Sequence, residues 1–229
     1  MGISARGQMD IAAKKTELET AKIQTVGRIV AASNASIFCR VGSVNAIYKP
    51  IAGERPLWDF QEGQLAYREV ATYLVSNALG LNCVPPTILR EGPFGIGSLQ
   101  LWIDDIEAVG DRYLEQSPEL RKIALLDAVV NNTDRKIGHL LYKDGEVFGC
   151  DHGVTFHQEY KLRTVLWQFA DQEIDDQEKQ ILKNFSCDLT DFLTGAEIEA
   201  LHTRIANLLQ EGKFPLPPTD WPAIPWPPV

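Results

Sequence analysis

Cysteine is scarce in this sequence, and what there is lies scattered. Cys39, Cys83, Cys150 and Cys187 form no CxxC pair and no other metal-like spacing. That argues against a zinc module or a disulfide scaffold and predicts four reduced thiols. Long apolar runs are missing too. Nothing approaches the about 18 residues of a membrane span, and residues 1–22 lack the apolar core of a secretory leader. A cytoplasmic location is the expectation. Positive charge is also in deficit. With 22 Lys and Arg against 31 Asp and Glu, the formal net charge is −9, a poor match for nucleic acid or an anionic membrane. No internal repeat is present.

What remains is an ordinary globular composition: 229 residues, 45% apolar and 23% charged. That is enough for one large domain or two packed lobes. Residues 1–22 read as an extension or a short helix. Three β-rich runs follow at about 24–30, 36–41 and 45–51, separated by the turn-formers "AASNAS" and "GSVN". They predict an antiparallel meander ending near Lys49. Residues 64–80 carry apolar positions at helical spacing, and 84–103 reads as two strands around a Gly/Pro turn. Beyond, "SPELRKIALLDAVVNN" (117–132) has a Ser cap and an N1 proline. Residues 139–151 form a hairpin around Lys-Asp-Gly. "TVLWQFAD" and "DDQEKQILKNF" suggest helix, and 193–214 is an amphipathic helix with a capping box at Thr194 and Glu197. The expected fold is α+β: a β-rich N-terminal lobe (23–103), a mainly helical C-terminal lobe (104–213) and a Pro/Trp-rich tail (214–229). The tail reads either as a strap on its own domain or as a docking peptide for a protein partner.

Taken singly, the polar candidates are unremarkable. Lys49 on a strand would be solvated, Glu69 would border a helix, and Asp134 and Asp151 would sit in turns. Their order says more. A lysine on the third strand paired with a glutamate of the next helix is how kinases hold ATP phosphates. An aspartate on a loop after a long helix, followed by a second after a short hairpin, matches the catalytic and metal-binding aspartates of the same fold.

The segments "YKPIAGERP" (48–56), "YREVATYLVSNALGLNCVPPTIL" (67–89), "VVNNTDRKIGHLL" (129–141) and "GCDHGVTFH" (149–157) carry a family resemblance. From residue 24 to about 170 the chain resembles the phosphatidylinositol 3-/4-kinase-like branch of the protein-kinase superfamily. It is most similar to type II phosphatidylinositol 4-kinases and their small bacterial relatives, and it also looks like a compact actinobacterial family of kinase-like proteins. The resemblance implies a two-lobed protein-kinase-like fold, with ATP and Mg²⁺ or Mn²⁺ bound between the lobes. It implies that Lys49 contacts ATP phosphates, Glu69 holds Lys49, Asp134 is catalytic and Asp151 binds metal. Arg135 would orient the catalytic loop or contact phosphate. Leu101, Trp102 and Ile103 would form the adenine-binding hinge, and Ser33, Asn34 and Ser36 would cap the phosphates.

Two features depart from the family pattern. The "AASNAS" turn is not glycine-rich. His139 stands where the family usually has an asparagine metal ligand. Imidazole there would suit Mn²⁺ better than Mg²⁺, would donate to a phosphate, or would mark weakened metal binding. The expected activity is phosphate transfer to a hydroxyl of a protein or small polar molecule, ahead of a lipid. The alternatives are a nucleotide-binding pseudokinase, an AMP-transferring enzyme and, more remotely, a hydrolase using His139, Asp151, His152 and His157 as metal ligands.

Overall fold

The structure, a computed structural model, describes residues 5–29 and 34–229, with side chains from residue 12 onward. The β-rich runs form three antiparallel strands, β1 (Ile23–Arg28), β2 (Ile37–Val41) and β3 (Val44–Pro50). Along β3 the alternation is strict. Val44, Ala46, Tyr48 and Pro50 are buried, while Asn45, Ile47 and Lys49 face the other side, half-buried. Period two therefore aims Lys49 away from the lobe's own core. Helix α2 (Leu65–Ala78) follows, then β4 (Thr87–Gly92) and β5 (Gly95–Leu101). The sheet order is β1-β2-β3-β5-β4. Gly97 of β5 lies opposite Pro50 and beside Lys49. A Cβ there would fall 2.4 Å from the Lys49 carbonyl oxygen, so glycine is required for β5 to pair closely with the lysine-bearing strand.

Helix α1 (Ala5–Thr20) precedes the sheet. Its Leu18 is fully buried among Cys39, Val41, Ala46, Tyr48 and Leu99. An Arg90 Nη1–Ala21 carbonyl bond of 2.9 Å ties its end to β4. Burying a leucine of this kind contributes about 1.5–3 kcal/mol.

The second lobe is built on α3 (Pro118–Val130). Ser117 accepts from the Leu120 N–H, and left-handed Asn131 (φ 54) ends the helix. Hairpin strands β6 (Leu140–Lys143) and β7 (Glu146–Gly149) turn through Asp144 and Gly145, both at positive φ. Helices α4 (Asp176–Lys183) and α5 (Gly195–Glu211) start in capping boxes at Asp175/Glu178 and Thr194/Glu197. Leu120, Ile123, Leu125, Leu126, Leu140, Phe156, Phe169 and Leu201 form the core between them.

One expectation fails. "TVLWQFAD" is not a helix; it contains only a short 3₁₀ turn at Trp167–Phe169. Its backbone is recruited elsewhere. Thr164 pairs in parallel with Arg135, and its N–H donates to the Ala223 carbonyl. Those bonds replace the ones a helix would have made.

The lobes are joined partly by α2. Arg68 pairs with Glu197 of α5, both buried, and its Nη1 donates to the Thr155 carbonyl at 2.7 Å. Among the described residues no helix is long and apolar enough to cross a membrane.

Candidate active site

Lys49, Glu69 and Asp151 come from β3, α2 and the chain just after β7, and they converge where the lobes meet. Lys49 Nζ pairs with Glu69 Oε1 and, at 2.8 Å, with Asp151 Oδ1. Glu69 is buried, and its second oxygen accepts from the His152 N–H at 3.0 Å. One carboxylate thus fixes both the lysine and the backbone following Asp151. Burial disfavours the Lys49 ammonium, but Asp151 and Glu69 outweigh it and keep the lysine protonated. Lys49 in turn holds the Asp151 carboxyl well below the usual carboxylate range. Burial pushes Glu69 up despite Lys49. Asp151 has a left-handed backbone (φ 57), a conformation aspartate adopts more readily than most residues.

The Asp134 loop is held from below. The Asp134 N–H donates to Asn132 Oδ1 at 3.0 Å, Asn132 Nδ2 donates to Asp127 Oδ1 at 2.9 Å, and the Thr133 N–H donates to the Val154 carbonyl. The Asp134 carboxylate stays 29% exposed, with Lys136 Nζ at 3.3 Å. Burial raises its carboxyl above the ordinary aspartate value, more than Lys136 lowers it.

Arg135 is corrected in part. It does not reach a phosphate, because its guanidinium is fully buried. It pairs with Asp127 of α3 at 2.9 Å, donates to the Cys150 carbonyl at 2.9 Å and faces His152 Nε2 at 2.7 Å. It acts on the loop from behind, welding α3, the Asp134 loop and the chain before Asp151. Asp127 is not among the candidates its sequence context offers. Its signal was a lone acid inside the apolar run "ALLDAVV", eight residues before an arginine.

His139 Nε2 lies 3.4 Å from Asp151 Oδ2, while its Nδ1 faces the Lys136 N–H at 3.4 Å. Burial lowers this imidazole to about 4, so the ring is neutral. An N–H aimed at Nδ1 makes that atom the acceptor and places the ring proton on Nε2, toward Asp151. His152 and His157 do not join them. His152 is buried against Arg135, and His157 accepts from the Glu159 N–H and faces Lys161. Among the described residues no group of three His, Cys, Asp or Glu side chains is placed to hold a metal. The hydrolase alternative therefore lacks its ligand set.

Asn34 and Ser36 line the same cleft as Lys49, Glu69, Asp151 and Gly153, a cavity of about 50 Å³; Ser33 lies outside the described residues. The Asn34 side chain accepts from the Arg55 N–H. At the expected hinge, the Leu101 and Trp102 N–H groups donate to the Pro86 and Asn45 carbonyls, and Trp102 packs edge-on against Phe38. A larger cavity of about 780 Å³ runs along α5 and shares no lining residue with this cleft.

A sheet lobe, a helical lobe and a lysine–glutamate–aspartate set at their junction define a kinase-like fold. The crystal structure of the Golgi casein kinase with Mn/ADP bound is similar in fold: TM-score 0.61 at 16% identity, over 89% of this chain and 75% of that one. The chain belongs to the family of Protein Rv2133c of Mycobacterium tuberculosis, to which it is 39% identical over 92% of this chain and 93% of that protein. It is also 32% identical to Phosphatidylinositol 4-kinase gamma 4 of Oryza sativa subsp. japonica, over 48% of this chain but 23% of that protein. No protein-family model matches the chain.

Proposed function

We propose that the protein is an ATP- and divalent-metal-dependent phosphotransferase. The observation that carries this is the Lys49 ammonium held between Glu69 of α2 and Asp151 of the other lobe, with Asp134 exposed on an adjacent braced loop. Lys49 neutralises nucleotide phosphate charge, and Glu69 fixes it. Asn34 and Ser36 line the phosphate end of the cleft. With the Leu101 and Trp102 N–H groups engaged in their own lobe, a backbone N–H donor to adenine would come from Ile103, with Leu101 and Trp102 as apolar walls.

The donors at Asp151 fit a hard cation, since a carboxylate oxygen is what Mg²⁺ and Mn²⁺ prefer. Asp151 would hold such a cation, and it would supply positive charge against the phosphates. In the tautomer its neighbours impose, the His139 ring N–H lies on the Asp151 side, with Nε2 3.4 Å from Oδ2. Ligation through Nε2 requires the opposite tautomer and would favour Mn²⁺ over Mg²⁺.

Asp134 accepts the proton of the acceptor hydroxyl. The hydroxyl oxygen bonds to the γ-phosphorus, and the bond to the β–γ bridging oxygen breaks, releasing ADP. Exposure of this carboxylate at the cleft favours turnover over a pseudokinase role.

The test uses radiolabelled ATP with Mg²⁺ or Mn²⁺, with mass spectrometry of the product. Asp134→Ala should lose transfer by about 10²–10⁴-fold while keeping nucleotide affinity. Nucleotide binding without transfer in either metal would return the pseudokinase reading. A product gaining AMP would identify an AMP transferase. No nucleotide binding under any metal would defeat the kinase reading.

A further inference from the structure

The proposed transfer leaves Arg163 without a part, although it is built into the loop that carries Asp134. The Arg163 N–H donates to the Asn132 carbonyl at 2.9 Å, and its own carbonyl accepts from the Arg135 N–H at 3.1 Å. Its side-chain Nε donates to the Thr133 carbonyl at 2.7 Å, one residue before Asp134. The guanidinium lies over the Trp221 ring, 5.4 Å from its centroid. Trp221 belongs to the proline-rich tail, and the tail is anchored on this same region. The Ala223 carbonyl accepts from the Thr164 N–H at 3.1 Å and from Trp167 Nε1 at 2.8 Å, and the Pro228 carbonyl accepts from the Ile137 N–H at 2.8 Å.

Neighbouring cations are occupied. Lys136 pairs with Asp134, Lys161 with Asp59 and Glu159, and Arg135 with Asp127. The charge of half-buried Arg163 acts on the Asp134 carboxylate from a distance, but among the described residues no carboxylate forms an ion pair with its terminal nitrogens. A guanidinium fixed at Nε and stacked on an indole keeps its two-nitrogen edge for an oxyanion, and little side-chain freedom is left to lose on binding.

We infer that Arg163, held in place by Trp221 of the tail, recognises an anionic group on the acceptor. The acceptor is then a hydroxyl compound that also carries a phosphate or carboxylate. The inference rests on the phosphotransferase reading and names its substrate class. It also gives the tail a place in the acceptor site.

The experiment keeps the two readings apart. Full-length protein saturated with a non-hydrolysable ATP analogue and Mg²⁺ is titrated by calorimetry with inorganic phosphate. In a second arm it is mixed with phosphatidylcholine vesicles containing phosphatidylinositol. Arg163→Gln should weaken the responding arm by about tenfold or more. Trp221→Ala should weaken it several-fold, and Trp221→Phe, which keeps a ring, should stay near wild type. Arg163-dependent binding in the phosphate arm places the acceptor among free anionic compounds; in the vesicle arm it places it among lipid headgroups. Binding in neither arm, or binding unchanged by Arg163→Gln, overturns the inference. Should the analogue itself not bind, the kinase reading falls, and the Arg163 comparison is decided on nucleotide-free protein. Unchanged circular dichroism in Arg163→Gln is the control for folding.

Discussion

Asp134 is kept partly buried beside the cleft, and its charge is worse off there than in water. Burial raises its carboxyl when folded, more than Lys136 lowers it. The folded state therefore binds its proton more readily, so this group costs stability above the raised value, and the cost disappears as pH falls through it. Asp134→Asn should melt above wild type at pH 7, with the difference shrinking toward about pH 4. Calorimetry across that range decides it; a variant that melts lower at pH 7 would show that the Lys136 contact dominates instead. The thiols are inert by contrast. Burial pushes Cys83 to about 11 and Cys150 to about 12.

The Asp134 loop borrows its rigidity from α3. Asp127 and Arg135 are both fully buried, and removing one partner would leave the other charge unsatisfied. Asp127→Ala should cost about 3–5 kcal/mol by urea unfolding, and adding Arg135→Leu should restore part of it, because the two changes are coupled. A double mutant as unstable as the sum of the singles would contradict that coupling. At this scale the helices were readable because their ends are local: Ser117, Asp175 and Thr194 cap within three residues of themselves. The segment 164–171 is not legible locally, because its helical pattern competes with bonds to Arg135 and Ala223, partners far away in the chain.

For the molecule as a whole, the Lys49–Asp151 contact links one lobe to the other, and the cleft around it is only about 50 Å³. On the proposed function, ATP would have to widen it and take over the lysine. At a hundredfold excess over Kd, bound ATP with Mn²⁺ should stabilise the protein by about 2.7 kcal/mol, seen as a rise in Tm. Asp151→Asn should lose most of that rise. It should fold normally in the absence of nucleotide, because Asp151 is half-exposed. A full ATP-dependent rise in Asp151→Asn would remove this aspartate from the nucleotide site.

Local order was already set by the sequence alone: strand alternation that turns Lys49 away from the sheet core, capped helices, the Lys-Asp-Gly hairpin, and the order Lys49, Glu69, Asp134, Asp151. Those features depend on neighbours a few residues away or on simple periodicity, so one chain is enough to read them. Tertiary structure alone decided which groups meet. It buried Arg135 against Asp127 instead of presenting it to phosphate, turned the His139 proton toward Asp151, sent His152 and His157 elsewhere, and laid Trp221 on Arg163. Each of these depends on burial and on which donor faces which acceptor across long sequence distances, and both arise only when the two lobes and the tail pack together.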